Sequence, residues 1–172
     1  MILYHHTARE YLDAILREGL TRGDVPLSRD TGANAVWLTT DASPDGHGLS
    51  DGGLVPDAAR AVARKLTGEW PPADARYADK RAVRIRVVIP SSDRHLIPWT
   101  KYATKKRIDR DWVAHLNKIG GGKSKARTWF LYLGTIEPKW FQSVEVRCED
   151  DGYRAIPVGL KDQAGCTSAT AE

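Results

Sequence analysis

Apolar and polar residues alternate most clearly in Val83-Arg84-Ile85-Arg86-Val87, the period-2 signature of a half-buried strand, and Pro90 stops it. The chain opens on a similar β-compatible word, Ile2 to His6. Thr7 then stands as an N-cap with Glu10 three residues on, and Tyr11, Leu12, Ile15 and Leu16 recur at helical spacing up to Gly19. Residues 21 to 34, rich in Gly, Pro, Asp and Asn, read as a loop, and 35 to 40 as a second strand. The stretch 41 to 53 is a long excursion, followed by a helix from Pro56 or Asp57 through Leu66. Residues 99 to 107 read as a basic loop, and 109 to 119 as a short helix with Trp112, Val113, Leu116 and Ile119 on one face. The glycine run 120 to 122 with Lys123-Ser124-Lys125 reads as a flexible connection. Two late strands, 128 to 133 and 143 to 147, flank a turn at 134 to 139.

This order predicts an α+β domain whose central sheet is split, mostly antiparallel and flanked by helices, built from residues 2–6, 35–40, 82–89, 128–133 and 143–147. A length of 172 residues fits one domain, taken as 1–160, with a small, polar tail at 161–172 that is expected to fray. No apolar run approaches the roughly 20 residues of a membrane-spanning helix, and the N-terminus lacks a signal-peptide plan. Cys148 and Cys166 form no CxxC pair, which argues against a disulfide framework and makes a reducing cytoplasm the default. The net charge of +4 is unevenly spread. Between Lys101 and Arg127 nine basic residues face two aspartates, a local +7 that leaves −3 for the rest. Such a block suits a phosphate-rich or nucleic-acid partner, or else a solvated face.

Several chemistries are excluded by spacing. Gly120 to Ser124 lacks the P-loop pattern, since Asn117 stands where the first glycine belongs and a strand follows. His5, His6, His47, His95 and His115 contain no helical metal pair, so no metal site is expected. No Gly-x-Ser-x-Gly elbow is present. Adjacent His5 and His6 must point to opposite faces of their strand, so at most one of them lines any given site.

Three words in chain order resemble ADP-ribosyltransferase-like domains, closest to bacterial toxins that modify DNA and to the poly(ADP-ribose) polymerase branch. Tyr4-His5-His6-Thr7 is similar to the first-strand His-x-Thr unit, which in that family binds NAD. Val36-Trp37-Leu38-Thr39-Thr40-Asp41 is similar to its second strand, with Trp37 in place of the tyrosine that stacks on nicotinamide. Thr128 to Val146 matches the frame of its late strands. The family's glutamate is missing: Thr128 or Trp129 occupies its place, and Glu137 and Glu145 are the nearest carboxylates.

The resemblance implies a cleft that holds NAD as co-substrate, with His5, Thr7, Trp37 and Thr39 as binding residues and His5 and Glu137 as the catalytic pair. Lys105, Lys106 and Arg107, with Tyr102, are expected to receive a nucleic-acid or nucleotide acceptor, because cations neutralise phosphate while a ring stacks on a base. The alternatives are an RNA 2′-phosphotransferase-like enzyme, which uses NAD without a catalytic glutamate, and a nucleic-acid-binding module with no chemistry.

Overall fold

Alternation decides the centre of the fold. In the computed structural model, which describes residues 1–148 and 152–157, strand β1 (Ile2–Thr7) pairs antiparallel with β5 (Val83–Val88) over six residues, from Ile2↔Val88 to Thr7↔Val83. That register puts Leu3, His5 and Thr7 on one face with Val83, Ile85 and Val87. Tyr4 and His6 fall on the other with Arg84 and Arg86. Beyond β5 lie β8 (Phe141–Cys148) and β9 (Gly152–Ile156); on the far side of β1 lie β4 (Val36–Thr39), β7 (Trp129–Tyr132) and β6 (Leu96–Pro98). All six neighbour pairs are antiparallel. A separate ribbon joins β2 (Asp24–Pro26) to β3 (Gly32–Asn34).

The helices cover this sheet unevenly. A 3-10 turn (Arg9–Tyr11) leads into α1 (Leu12–Glu18), whose Leu12, Ile15 and Leu16 pack on the face carrying Leu3 and Val83. Helices α3 (Trp99–Lys105), α4 (Arg110–Ile119) and α5 (Lys123–Ala126) lie against β4 and β7 on the opposite face. There Trp99, Tyr102, Ala126 and Leu131 form a second core. Helix α2 (Asp57–Thr67) buries no residue. Among the described residues no helix is long and apolar enough to cross a membrane.

A single α+β domain with an antiparallel, helix-flanked sheet is therefore present, and the five expected strands all lie in it. Several local expectations are corrected. Thr7 caps nothing: it ends β1, and Ala8 and Tyr11 occupy the cap positions without a side-chain bond. Residues 99–105 are helical because Trp99, Tyr102 and Ala103 recur at i, i+3 and i+4 and are buried together. The glycine run ends in a short helix, with Gly121 and Gly122 both at positive φ just before it. Residues 21–34 contain the β2–β3 ribbon, and β6 and β9 were not anticipated. Cys148 is disulfide-bonded, against the expectation that argued from the cysteine spacing away from disulfides. The expected tail at 161–172 lies outside the described residues.

Candidate functional site

The sheet divides at one place. Between β1 and β4 the ladder consists of a single register pair, Tyr4↔Thr39. Past that pair a side chain replaces the backbone: the His5 imidazole reaches the Trp37 carbonyl at 2.9 Å. A carbonyl only accepts, so Nδ1 of His5 carries the proton and donates it. Burial pushes the His5 pKa down, the Trp37 contact opposes this, and the Lys80 ammonium adds to the lowering. The ring is thus neutral, with an unprotonated Nε2.

A cleft of about 1380 Å³ opens at this fork. That exceeds the roughly 300–1,000 Å³ of most small-molecule pockets. Because the strands part, the cleft is lined from both faces of the sheet. Ile15, Gly19 and Leu20 contribute from the side of α1, and Trp37, His47, Leu116 and Trp129 from the other. His5 and Thr7 both line it, and no described residue hydrogen-bonds the Thr7 hydroxyl. His6 lines it too, which corrects the expectation that only one of the two histidines would, because the parted strands open both faces to one cleft.

Two tryptophans shape one wall. Trp37 packs edge-on against Trp129, with ring centres 5.8 Å apart, and tilts against the fully buried Trp99 at 5.2 Å. The Trp37 indole N–H donates to the Asp24 carbonyl (2.9 Å), which fixes the ring's rotation. Trp129 is held by a longer chain. Its indole N–H donates to Nδ1 of His47 (2.9 Å), so the His47 proton sits on Nε2 and faces Asp41 at 3.3 Å. Lys125 also binds Asp41, at 2.5 Å. The Lys125 bond holds the Asp41 carboxyl below its ordinary range, and burial followed by Lys125 holds His47 neutral. The strand residue thus has its orientation set by the 41–53 excursion and by α5.

Nothing matches this chain. Comparison with protein-family models, curated proteins and solved structures found no related family, protein or fold. The site therefore has to be read from its own geometry.

Of the expected residues, His5, Thr7, Trp37 and Thr39 come together at the fork. Thr39, however, is spent internally: its hydroxyl accepts from the Asp41 N–H (3.0 Å) and pairs with the Thr128 hydroxyl (2.8 Å). The Thr128 hydroxyl also donates to the Lys125 carbonyl, which leaves Thr39 the donor in that pair. Glu137 is exposed, pairs with Lys139 at 2.7 Å and is not among the cleft-lining residues. The carboxylates that do line the cleft are Glu18 and Asp24, both exposed at its rim. Glu145 lies on the far side of β5, bound by Arg84 and by the Ser143 hydroxyl. Burial works against its charge, but those two partners prevail and lower its pKa.

The expected acceptor cluster divides. Lys105, Lys106 and Arg107 are exposed and outside the cleft lining, whereas Tyr102 is 2% exposed and packs on Trp99. Its ring is therefore closed to a base. Sequence reasoning missed His47, Asp41 and Lys125 as determinants of the site. They act on Trp129 from positions with no shared periodicity.

One group in the cleft wall has no ring nitrogen in hydrogen-bond geometry with a described residue. His6 is 9% exposed, and neither ring nitrogen has a hydrogen-bond partner. A buried orphan polar atom costs on the order of 1–3 kcal/mol. Burial first, then the fields of His5, His47 and Arg84, push its pKa down to about 4, against an opposing backbone contact at Asp41.

Proposed function

We propose that the forked cleft binds an NAD-type dinucleotide and that the protein is an ADP-ribosyltransferase-like enzyme acting on a nucleic-acid or nucleotide acceptor. One observation carries the reading. At the fork a neutral His5 with a free Nε2 and an unpaired Thr7 hydroxyl stand beside the fixed rings of Trp37 and Trp129. Polar groups that accept and donate suit ribose hydroxyls and an amide. A fixed aromatic wall suits a flat heterocycle, at little cost in side-chain entropy.

The rim position of Glu18 and Asp24 supports a second reading, in which the chemistry runs without a catalytic carboxylate, as in RNA 2′-phosphotransferase-like enzymes. In both readings the exposed Lys105, Lys106 and Arg107 attract the polyanionic partner by charge, without a contribution from Tyr102.

Calorimetric titration with NAD tests the common ground. Trp37→Ala should weaken binding by about 1–3 kcal/mol, the worth of one stacked base. Absence of heat and of any thermal shift with NAD overturns the proposal. Labelled NAD incubated with nucleic acid, and separately with 2′-phosphorylated RNA, separates the readings by where the label or phosphate ends. Reversing the charge at Lys105, Lys106 and Arg107 should lower turnover on the acceptor and flatten its salt dependence, with NAD affinity unchanged. Salt-steep nucleic-acid binding with indifference to NAD would instead favour a binding module without chemistry.

A further inference from the structure

His6 is a cleft-lining side chain that the proposed function does not use, and its surroundings define what it awaits. On its face of β1 it sits across from Arg84 of β5, as the register pairs them. His47 of the 41–53 excursion stacks over it with ring centres 6.4 Å apart, and Tyr153 of β9 stands at the same distance. Tyr4, Leu49 and Lys80 line the same cleft.

The charged neighbours are mostly cationic. Arg84 lies over the rings of Tyr4 and Tyr153 at 5.6 and 4.2 Å. Lys80 also lines the cleft, and no carboxylate among the described residues lies within ion-pair distance of it. The nearby carboxylates are already engaged, Glu145 by Arg84 and Asp41 by Lys125. The Tyr153 hydroxyl donates to the Arg81 carbonyl and is likewise satisfied.

We propose that His6 is an anion subsite of the cleft, which Lys80 also lines, that it receives a phosphate-ester oxygen, and that it takes up one proton when the phosphate binds. The reasoning is one of pairing. A neutral imidazole meeting an acceptor satisfies one nitrogen and leaves the other an orphan. An imidazolium has two N–H donors: one can meet a phosphate oxygen, whose charge offsets the proton, and the other turns to the Asp41 backbone, which already favours the protonated ring. In the free protein burial first, and then the fields of His5, His47 and Arg84, keep the ring neutral. An arriving anion reverses the sign of that field, so proton and phosphate bind together. The protonated ring remains flanked by Arg84, which is why the phosphate's own charge is required.

The subsite rests on the nucleotide reading only for which molecule carries the phosphate. The diphosphate of a dinucleotide and a terminal phosphate of an acceptor share this chemistry. Titration calorimetry at pH 6.5 with inorganic pyrophosphate, ADP-ribose and a 5′-phosphorylated dinucleotide, each in two buffers of different ionisation enthalpy, separates these sources. The wild-type protein should take up close to one proton with the probe that occupies the subsite. His6→Gln should lose that uptake and bind the same probe at least about tenfold more weakly, the loss of a hydrogen bond to a charged group. Should the variant misfold, nitrogen-15 chemical shifts of the His6 ring in the wild-type protein give the same answer, moving from neutral to imidazolium on addition of the probe. No proton uptake with any probe, or equal uptake in wild type and His6→Gln, overturns the subsite. If pyrophosphate binds with uptake while NAD gives no heat, the subsite stands and the dinucleotide reading falls.

Discussion

The two faces of β1 are built by different means. On one, Leu3 is sealed among Val36, Leu38, Ile85 and Val144, side chains that need only fit. On the other, Tyr4 and His6 lie beside Arg84, with Glu145 and Tyr153 near by, side chains that need partners of matching charge and geometry. The apolar face continues across the fork, since its core takes residues from β4 and β7 as well as from β1, β5 and β8. The opposite face changes character there, from the tryptophan-rich core over β4 and β7 to the polar array over β1 and β5. The cleft opens where this change falls. Packing joins the two halves of the sheet on one side, while on the other each half follows its own chemistry.

Truncation on the apolar face should have the largest effect. Leu3→Ala removes a fully buried side chain and is expected to cost about 3 kcal/mol in urea unfolding. A cost below about 1 kcal/mol would mean that this core does not bridge the fork.

The polar face should respond to pH instead. His6 has its folded pKa lowered to about 4, so the unfolded chain binds the proton more readily below about 6.5. Stability is then complete above pH 6.5 and falls as the pH drops toward 4. Between pH 7.5 and 5 the loss from His6 alone is roughly 2 kcal/mol, at 1.36 kcal/mol per unit. His5 and His47, also lowered, change stability in the same direction. Unfolding curves at the two pH values, compared with those of His6→Gln, isolate its share; equal slopes in the two proteins would contradict it.

Glu145→Gln comes next. It leaves the Arg84 guanidinium without its counter-charge at a site where the two side chains are 21% and 16% exposed. The cost should fall between that of a surface pair and a buried one, about 2 kcal/mol at neutral pH. The Glu145 pKa is lowered in the fold, so this contribution is present above the usual carboxylate range and disappears as the pH falls through the folded value. A substitution effect that does not shrink as the pH falls through the folded value would point to packing.

The smallest effect belongs outside both faces. Charge reversal at Lys105, Lys106 and Arg107 should change stability by no more than about 0.5 kcal/mol, because all three are exposed. A larger change would assign them to the fold and remove them from the acceptor's path.

What could be read from the chain follows the same division. Strands with strict alternation, such as 83–88, were legible because one buried face imposes its period on the sequence. Helix α3 was hidden by Lys101, Lys105 and Lys106, which read as loop although Trp99, Tyr102 and Ala103 carried the helical spacing. Strand β6 is three residues long and ends on Pro98, too short to show a period. In the site, His5, Thr7 and Trp37 were found through a likeness of short words. The Lys125–Asp41–His47–Trp129 chain was not, because His47 and Asp41 come from a loop without pattern and meet Trp129 and Lys125 across 82 and 84 residues. Glu137 was chosen by proximity in sequence, and its side chain turns to Lys139.

The bond from His5 to the Trp37 carbonyl has a consequence for mutational dissection. A ring nitrogen there does what a backbone amide does elsewhere in a sheet, so replacing His5 removes a strand-to-strand link as well as a group in the cleft. Loss of activity in His5→Ala would conflate the two roles. His5→Asn, whose amide N–H could restore the link without an imidazole Nε2, is the informative comparison. For the same reason an evolving chain has few alternatives at this position, since an acceptable residue must close the fork and serve the cleft at once.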